Sequence, residues 1–288
     1  MPVLGRVGIW AGDFDTLPAA GIRHAAATIE DLGYGALWLP ELMGREAIAQ
    51  AAILLAATRR ITVAAGMTDI YARDAVTAAA AQRTLDEAFP GRFLLGLWDS
   101  HPSLAEEIRG HRFGAPVATM RSYLGALDAA PFGPPATMAL PDRVLAALEP
   151  GMLALAAERA QGATVQGMPV EYTRTARKAL GDDRLLAVTQ LCVLSHDREA
   201  AAELARTTAA AALPNRRDLL RRLGYEAPEA LDARLVDALV AHGRAEDIAH
   251  RVQQHLDAGA DHVSLHLVAI PGSPSEPQWR QLATHIPR

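Results

Sequence analysis

The stretch GRFLLGLWDSHPSLAEEIRGH, residues 91–111, holds an apolar run at 92–97 that ends abruptly in Trp98, Asp99, Ser100 and His101. An apolar strand that delivers polar groups at its C-terminal end is how parallel α/β proteins build sites, because the loops at that end converge on one face. Outward from this segment, strand and helix signals alternate almost from end to end. Strands are predicted at 7–10, 36–39, 61–65, 92–97, 144–148, 163–166, 185–194 and 262–268, and helices at 17–32, 45–58, 115–129, 152–160, 171–180, 198–212 and 245–258. A further helix runs to Ala88 behind Asp74, an N-cap residue type, and Gly33 suits the end of the first helix. The Pro-rich stretch 131–141 punctuates the middle of the chain. Eight strands alternating with helices, with no linker of Gly, Ser or charge between them, predict one (β/α)8 TIM barrel over residues 1–288. Residues 213–243 are too long for a plain connection and predict a helical insertion between strands 7 and 8, either a lid over the barrel mouth or a dimer-contact hairpin.

Composition narrows the function classes. The 288 residues are 50% hydrophobic and 21% charged, which suits a chain with a large core. The net charge of -5 and the lack of basic clusters interleaved with aromatics argue against nucleic-acid binding. No stretch approaches an uninterrupted membrane span, and no basic segment followed by an apolar run opens the chain, so a cytoplasmic protein is expected. The single cysteine, Cys192, lies in an apolar run and reads as a small buried hydrophobe.

Several reaction classes drop out. The patterns GxGxxG after a strand, GxxxxGK[ST], GxSxG and HExxH are absent, and no Cys/His cluster has zinc spacing. On a strand, His262, Ser264 and His266 share the face toward the barrel interior while Val263, Leu265 and Leu267 face outward. The two histidines are then about 13 Å apart, too far for one metal. No metal is expected, and His266, nearer the C-terminal rim, is a candidate site residue.

The motifs GYGALWLPE (33–41), ITVAAGMTDIYARDAVTAAAAQRTLDEAFPGRFLLGL (61–97), MLALAAERAQGA (152–163), LPNRRDLLRRLG and VQQHLDAGADHVSLHL resemble the luciferase-like monooxygenase family across nearly the whole chain. Among its branches the likeness is best to the F420-dependent oxidoreductases. The resemblance implies a homodimer that binds a small-molecule substrate, with a deazaflavin ring over the C-terminal mouth and hydride transfer from reduced F420; FMN is the less favoured cofactor. It implies a backbone bulge at Gly66 and Met67 under the ring, often with a cis peptide, and proton transfer by His101, Asp99 and Glu41, all at strand ends. Trp98, Ser100, Pro150, Gly151 and Met152 map to the cofactor pocket.

The cofactor pocket is divergent. Trp98 stands where the family's second strand-end glycine leaves room for the ring, and Leu42 follows Glu41 where some members have a histidine. Glu149-Pro150-Gly151-Met152 replaces a Gly-Pro-Arg/Lys-Met motif, putting a carboxylate at the phosphate side and removing a cation, and Gly167-Met168-Pro169 replaces an extended stretch. A second reading therefore stands beside the redox one. In it the barrel has lost F420 and flavin and serves cofactor-independent acid–base chemistry with Asp99, His101 and His266, or ligand binding alone. Trp10, Trp38, Tyr71 and Trp98 are the expected apolar walls of the pocket, with Asn215 and Arg217 as candidate contacts from the insertion.

Overall fold

The computed structural model describes residues 1–134, 142–268 and 275–287. The parallel strands are β1 (Val7–Trp10), β2 (Ala36–Pro40), β3 (Thr62–Asp69), β4 (Phe93–Trp98), β5 (Arg143–Ala146), β6 (Gly162–Gln166), β7 (Leu185–Leu194), β8 (Val240–Gly243) and β9 (His262–Leu267). The helices are α1 (Ala19–Asp31), α2 (Ala47–Ala57), α3 (Ala75–Ala88), α4 (Pro116–Asp128), α5 (Pro150–Arg159), α6 (Val170–Leu180), α7 (Arg198–Ala212), α8 (Arg217–Arg222), α9 (Ala233–Leu239), α10 (Ala245–Asp257) and α11 (Ser275–Ala283). Each strand from β1 to β7 pairs in parallel with the next, β7 pairs with β9, and β9 returns to β1, closing a ring of eight. This is the expected TIM barrel. Of the Pro-rich stretch 131–141, residues 135–141 lie outside the described residues.

The insertion is helical as expected and carries one strand besides. Two helices, α8 and α9, lie within 213–243, but the segment ends in a strand, β8. Its register, Leu191↔Val240 through Leu194↔Gly243, takes the flank of β7 that β6 leaves free beyond Gln166↔Thr189, while β9 holds the opposite flank. Val240 follows α9 with no Gly or Pro between them, so no sequence signal marks the switch.

Period-two alternation sorts the strand residues into two cores. Outward residues such as Phe93, Leu95 and Leu97 of β4 and Val263, Leu265 and Leu267 of β9 pack under the helices. Inward ones, Trp10, Trp38, Ala64, Leu94 and Val144 among them, fill the barrel axis. His262 lies in this inner layer. Its Nδ1–H donates to the Gly5 carbonyl at 2.9 Å and its Nε2 accepts the Trp38 indole N–H at 3.0 Å, which fixes one neutral tautomer. Gly8 makes the room: a Cβ there would stand 2.8 Å from His262 Nε2 and 2.6 Å from the Ala36 carbonyl oxygen. Among the described residues no helix is long and apolar enough to cross a membrane.

Candidate active site

The C-terminal mouth of the barrel holds a cavity of about 340 Å³, at the small end of the roughly 300–1,000 Å³ usual for small-molecule sites. Its floor is Trp10, Met67 and Trp98. Trp98 is the last residue of β4 and the third inward one after Leu94 and Gly96, so strand alternation alone aims its indole into the mouth. Met67 gets there by a bulge. Between Ala65↔Leu95 and Thr68↔Leu97, and again between Trp38↔Ala64 and Pro40↔Met67, β3 carries one residue more than either neighbour. One extra residue reverses the alternation, turning Met67 inward against the axial core. Gly66 is needed at the bulge, because a Cβ would come 2.4 Å from Trp38 Cε3. The bulge lies where the family resemblance puts it, but every described peptide bond is trans, so the cis bond is not part of it.

Asp99, Ser100 and His101 form one polar edge of the cavity. Ser100 has a φ of 70°, a left-handed conformation unfavourable for a residue with a Cβ. Asp69, fully buried, holds it there: its carboxylate accepts from Ser100 Oγ at 2.9 Å, Arg109 Nε at 2.9 Å and the Tyr71 amide at 2.8 Å. Burial, reinforced by the negative charge of Asp69, pushes the Asp99 carboxyl above its ordinary range, so Asp99 keeps its proton to higher pH than an exposed aspartate. His101 is exposed at the same edge, with Nδ1 2.9 Å from Ser103 Oγ.

The wall from β5 into α5 contributes Ala146, Leu148, Glu149 and Met152, and Pro150 and Gly151, in the first turn of α5, lie next to it in the chain but do not line the cavity. Glu149 does not act as a bare like charge beside a phosphate: Arg222 at the end of α8 reaches it at 3.0 Å, returning from the insertion the cation that the helix start lacks. At the far end, Thr164 and Gln166 of β6 meet Asn215 and Arg216.

Five expected participants stand elsewhere. Glu41 is not at the cavity. Its buried carboxylate accepts the Asp69 amide at 2.9 Å and Arg73 Nη1 at 3.0 Å, with Arg73 Nη2 as a further donor, so it ties the end of β2 to β3, away from the cavity lining. His266 lies beneath Trp10, ring centroids 6.0 Å apart and stacked, rather than on the cavity wall. Among the described residues its Nδ1 is the only buried side-chain N or O atom without a hydrogen-bond partner. Burial lowers its pKa to about 4, so the ring is neutral at pH 7. Trp38 is sealed in the axial core and Tyr71 stacks on Phe113, so neither lines the mouth. Arg217 points to Glu229 at 3.9 Å, and its neighbour Arg216 takes the place expected of it. A larger groove of about 700 Å³ runs outside the barrel beside α6, α9 and α10 and collects none of the strand-end residues.

A closed parallel barrel, with a bulged third strand and an apolar cavity edged by acid groups at its C-terminal mouth, defines a TIM-barrel protein of the kind that binds small molecules in its mouth. The chain belongs to the luciferase-like monooxygenase family, whose sequence model matches residues 9–262. A candidate coenzyme F420-dependent oxidoreductase of Mycobacterium tuberculosis is 29% identical over 119 residues, a match that takes in 41% of this chain and 34% of that relative. Three solved structures share the fold over nearly their whole length. The coenzyme F420-dependent tetrahydromethanopterin reductase of Methanopyrus kandleri has a TM-score of 0.76 at 16% identity, covering 99% of both chains. An F420-dependent secondary alcohol dehydrogenase, solved with an F420-acetone adduct, has a TM-score of 0.78 at 13% identity, covering 99% of this chain and 98% of that one. The FMN complex of the oxygenating constituent of 3,6-diketocamphane monooxygenase from Pseudomonas putida has a TM-score of 0.70 at 14% identity, covering 98% and 96%.

Proposed function

We propose that this chain is an oxidoreductase that transfers a hydride between a reduced deazaflavin of the F420 type, or a flavin, and a small organic or natural-product substrate held at the barrel mouth. The observation that carries the reading is the cavity itself: a floor of Trp10, Met67 and Trp98, an acid whose pKa burial raises at one edge and a charge-balanced helix start on the wall. This donor set fits the group. Indole and thioether surfaces suit the face of a planar ring, and the amide of Gly151 in the first turn of α5 suits a phosphate oxygen once Arg222 has neutralised Glu149. The names of the relative and of two structural neighbours, which mention F420, support it as well.

A bound deazaflavin or flavin supplies hydride chemistry. The chain's own residues do the rest. The apolar floor keeps water from the reacting carbon, and Met67, turned into the cavity by the β3 bulge, would help to hold the ring. The carboxyl of Asp99 gives a proton to the substrate oxygen or takes one from it, since burial holds it closer to neutral pH than a free aspartate. Asp69, through Ser100 and Arg109, fixes the loop that carries Asp99 and His101. His101 relays the proton between the edge of the cavity and solvent. We place the enzyme in the cytoplasm as a homodimer, a state that light scattering of the purified protein checks.

The test is anaerobic turnover of reduced F420, and separately of reduced FMN, against a panel of small carbonyl compounds. Oxidation that depends on the carbonyl substrate and falls at least about a hundredfold in Asp99→Asn supports the reading. Equal rates in the wild type and Asp99→Asn overturn the role given to Asp99.

A further inference from the structure

The insertion puts a guanidinium at the β6 end of the cavity whose charge the protein does not answer. Arg216 is mostly buried, and among the described residues no carboxylate comes within ion-pair distance of it; the internal stretches outside the description, 135–141 and 269–274, contain no Asp or Glu. Of the two acids that share the cavity, Glu149 pairs with Arg222, and neither it nor Asp99 forms an ion pair with Arg216. Backbone carbonyls hold Arg216 in place. Its Nε and Nη2 donate to the Gln166 carbonyl at 3.3 and 3.2 Å, and its Nη1 to the Ala212 carbonyl at 2.5 Å. Gly167, at a φ of 59°, makes the left-handed turn that follows Gln166, beside the guanidinium. A guanidinium has five N–H groups. Three are used, so one remains on each terminal nitrogen, and such a pair is the fork that grips two oxygens of one carboxylate or phosphate. A buried cation without a counter-ion is costly, and burial alone shifts Arg216 toward its uncharged form. An anionic ligand removes that cost.

We propose that Arg216 is the oxyanion receptor of the mouth cavity, and that the substrate carries a carboxylate or phosphate group seated on it. The proposal rests on the reading of the mouth as the active site and adds the class of substrate. It also gives the insertion a function, because the segment that begins at Leu213 brings recognition into a barrel whose strands supply no cation at that point.

The experiment uses the ligand-free protein and two probes, inorganic phosphate and acetate, added at constant ionic strength against chloride while thermal unfolding is followed. The wild-type melting temperature is expected to rise steadily with the logarithm of probe concentration. Arg216→Gln is expected to lose that rise, and Arg216→Lys, which keeps the charge but not the fork, to keep a reduced one. Arg174→Gln, in the outer groove, is expected to keep all of it. The melting curve of each variant without probe shows that it folds, and the lysine variant carries the test if the glutamine variant does not. A rise of the same size in wild type and Arg216→Gln, or no rise in wild type, overturns the proposal. Titration of wild type and Arg216→Gln with F420 and FMN separates the two possible sources of the oxyanion. Unchanged cofactor affinity in Arg216→Gln supports a substrate group, whereas loss of cofactor affinity along with the phosphate response overturns the substrate assignment, because the cofactor's own phosphate then occupies the fork. If neither cofactor binds even to wild type, the redox reading fails while the probe response still decides the role of Arg216.

Discussion

Lowering the pH from 7 to 5 is expected to destabilise this protein by about 5 kcal/mol, through three histidines that the fold keeps neutral. Burial holds His255 at about 3, and His262 and His266 at about 4, against 6.5 for a free histidine. Each is committed to its uncharged form. His255 donates from Nε2 to Gln190 Oε1 at 2.8 Å and accepts the Thr173 hydroxyl at Nδ1, also at 2.8 Å. His262 accepts the Trp38 N–H, so a proton on Nε2 would set two donors face to face. The buried Nδ1 of His266 has no hydrogen-bond partner, so a proton placed there would find no acceptor. The sign follows directly. A base whose native pKa is depressed binds fewer protons folded than unfolded, so stability is complete above about pH 6.5 and is lost as pH falls toward 4. At pH 5 each histidine costs about 2 kcal/mol, and the three together remove a large part of the 5–15 kcal/mol typical of a native domain. The window is specific, because paired carboxylates such as Glu30 and Asp128, held low, give up their contribution only below the ordinary carboxylate range. Urea unfolding at pH 7, 6 and 5 measures the effect. His262→Leu, whatever its own baseline, is expected to remove about a third of the pH dependence. A loss of less than about 1 kcal/mol between pH 7 and 5 refutes the reasoning, since at least two of the three must then be protonated in the native state or sit in water.

Three further outcomes follow from the site. Asp99→Asn is expected to raise the melting temperature at pH 7 but not at pH 3, because a carboxyl whose native pKa is raised favours the fold only while protonated. Asp69→Asn leaves Arg109 without its counter-ion and Ser100 without its full acceptor, and a cost of about 3 kcal/mol is expected in urea unfolding; a cost below about 1 kcal/mol would show that the left-handed Ser100 is held by something else. Trp98→Gly is expected to weaken F420 or FMN binding by about ten- to a hundredfold through lost stacking, and tighter binding by the variant would mean that the indole obstructs the ring instead of supporting it.

The barrel was legible in the sequence because its signals are local. Apolar runs such as Leu185 to Leu194 and the Asp74 cap, whose side chain accepts the Thr77 amide, depend on residues close in the chain. Orientation was legible too: period-two alternation put His262, Ser264 and His266 inside, where the structure has them. What escaped is non-local. Glu41 reads as a strand-end acid until Arg73, 32 residues away, is seen to saturate it. The charge of Glu149 looks unanswered until Arg222, 73 residues on, is seen to reach it. Arg216 and Arg217 are adjacent, and only the turn before α8 decides which of them faces the cavity. The sequence signal available was the arginine-rich start of the insertion itself, which marks cations for the mouth without saying which one arrives.

The central claim is that the mouth holds a deazaflavin or flavin ring against Trp98, and equilibrium titration of the purified, folded protein with F420 and with FMN tests it most directly. Saturable quenching of cofactor fluorescence at micromolar concentrations by the wild type, weakened in Trp98→Gly, is the result expected. Absence of binding to either cofactor would contradict the claim and point to a luciferase-like barrel that uses the same cavity for cofactor-free chemistry.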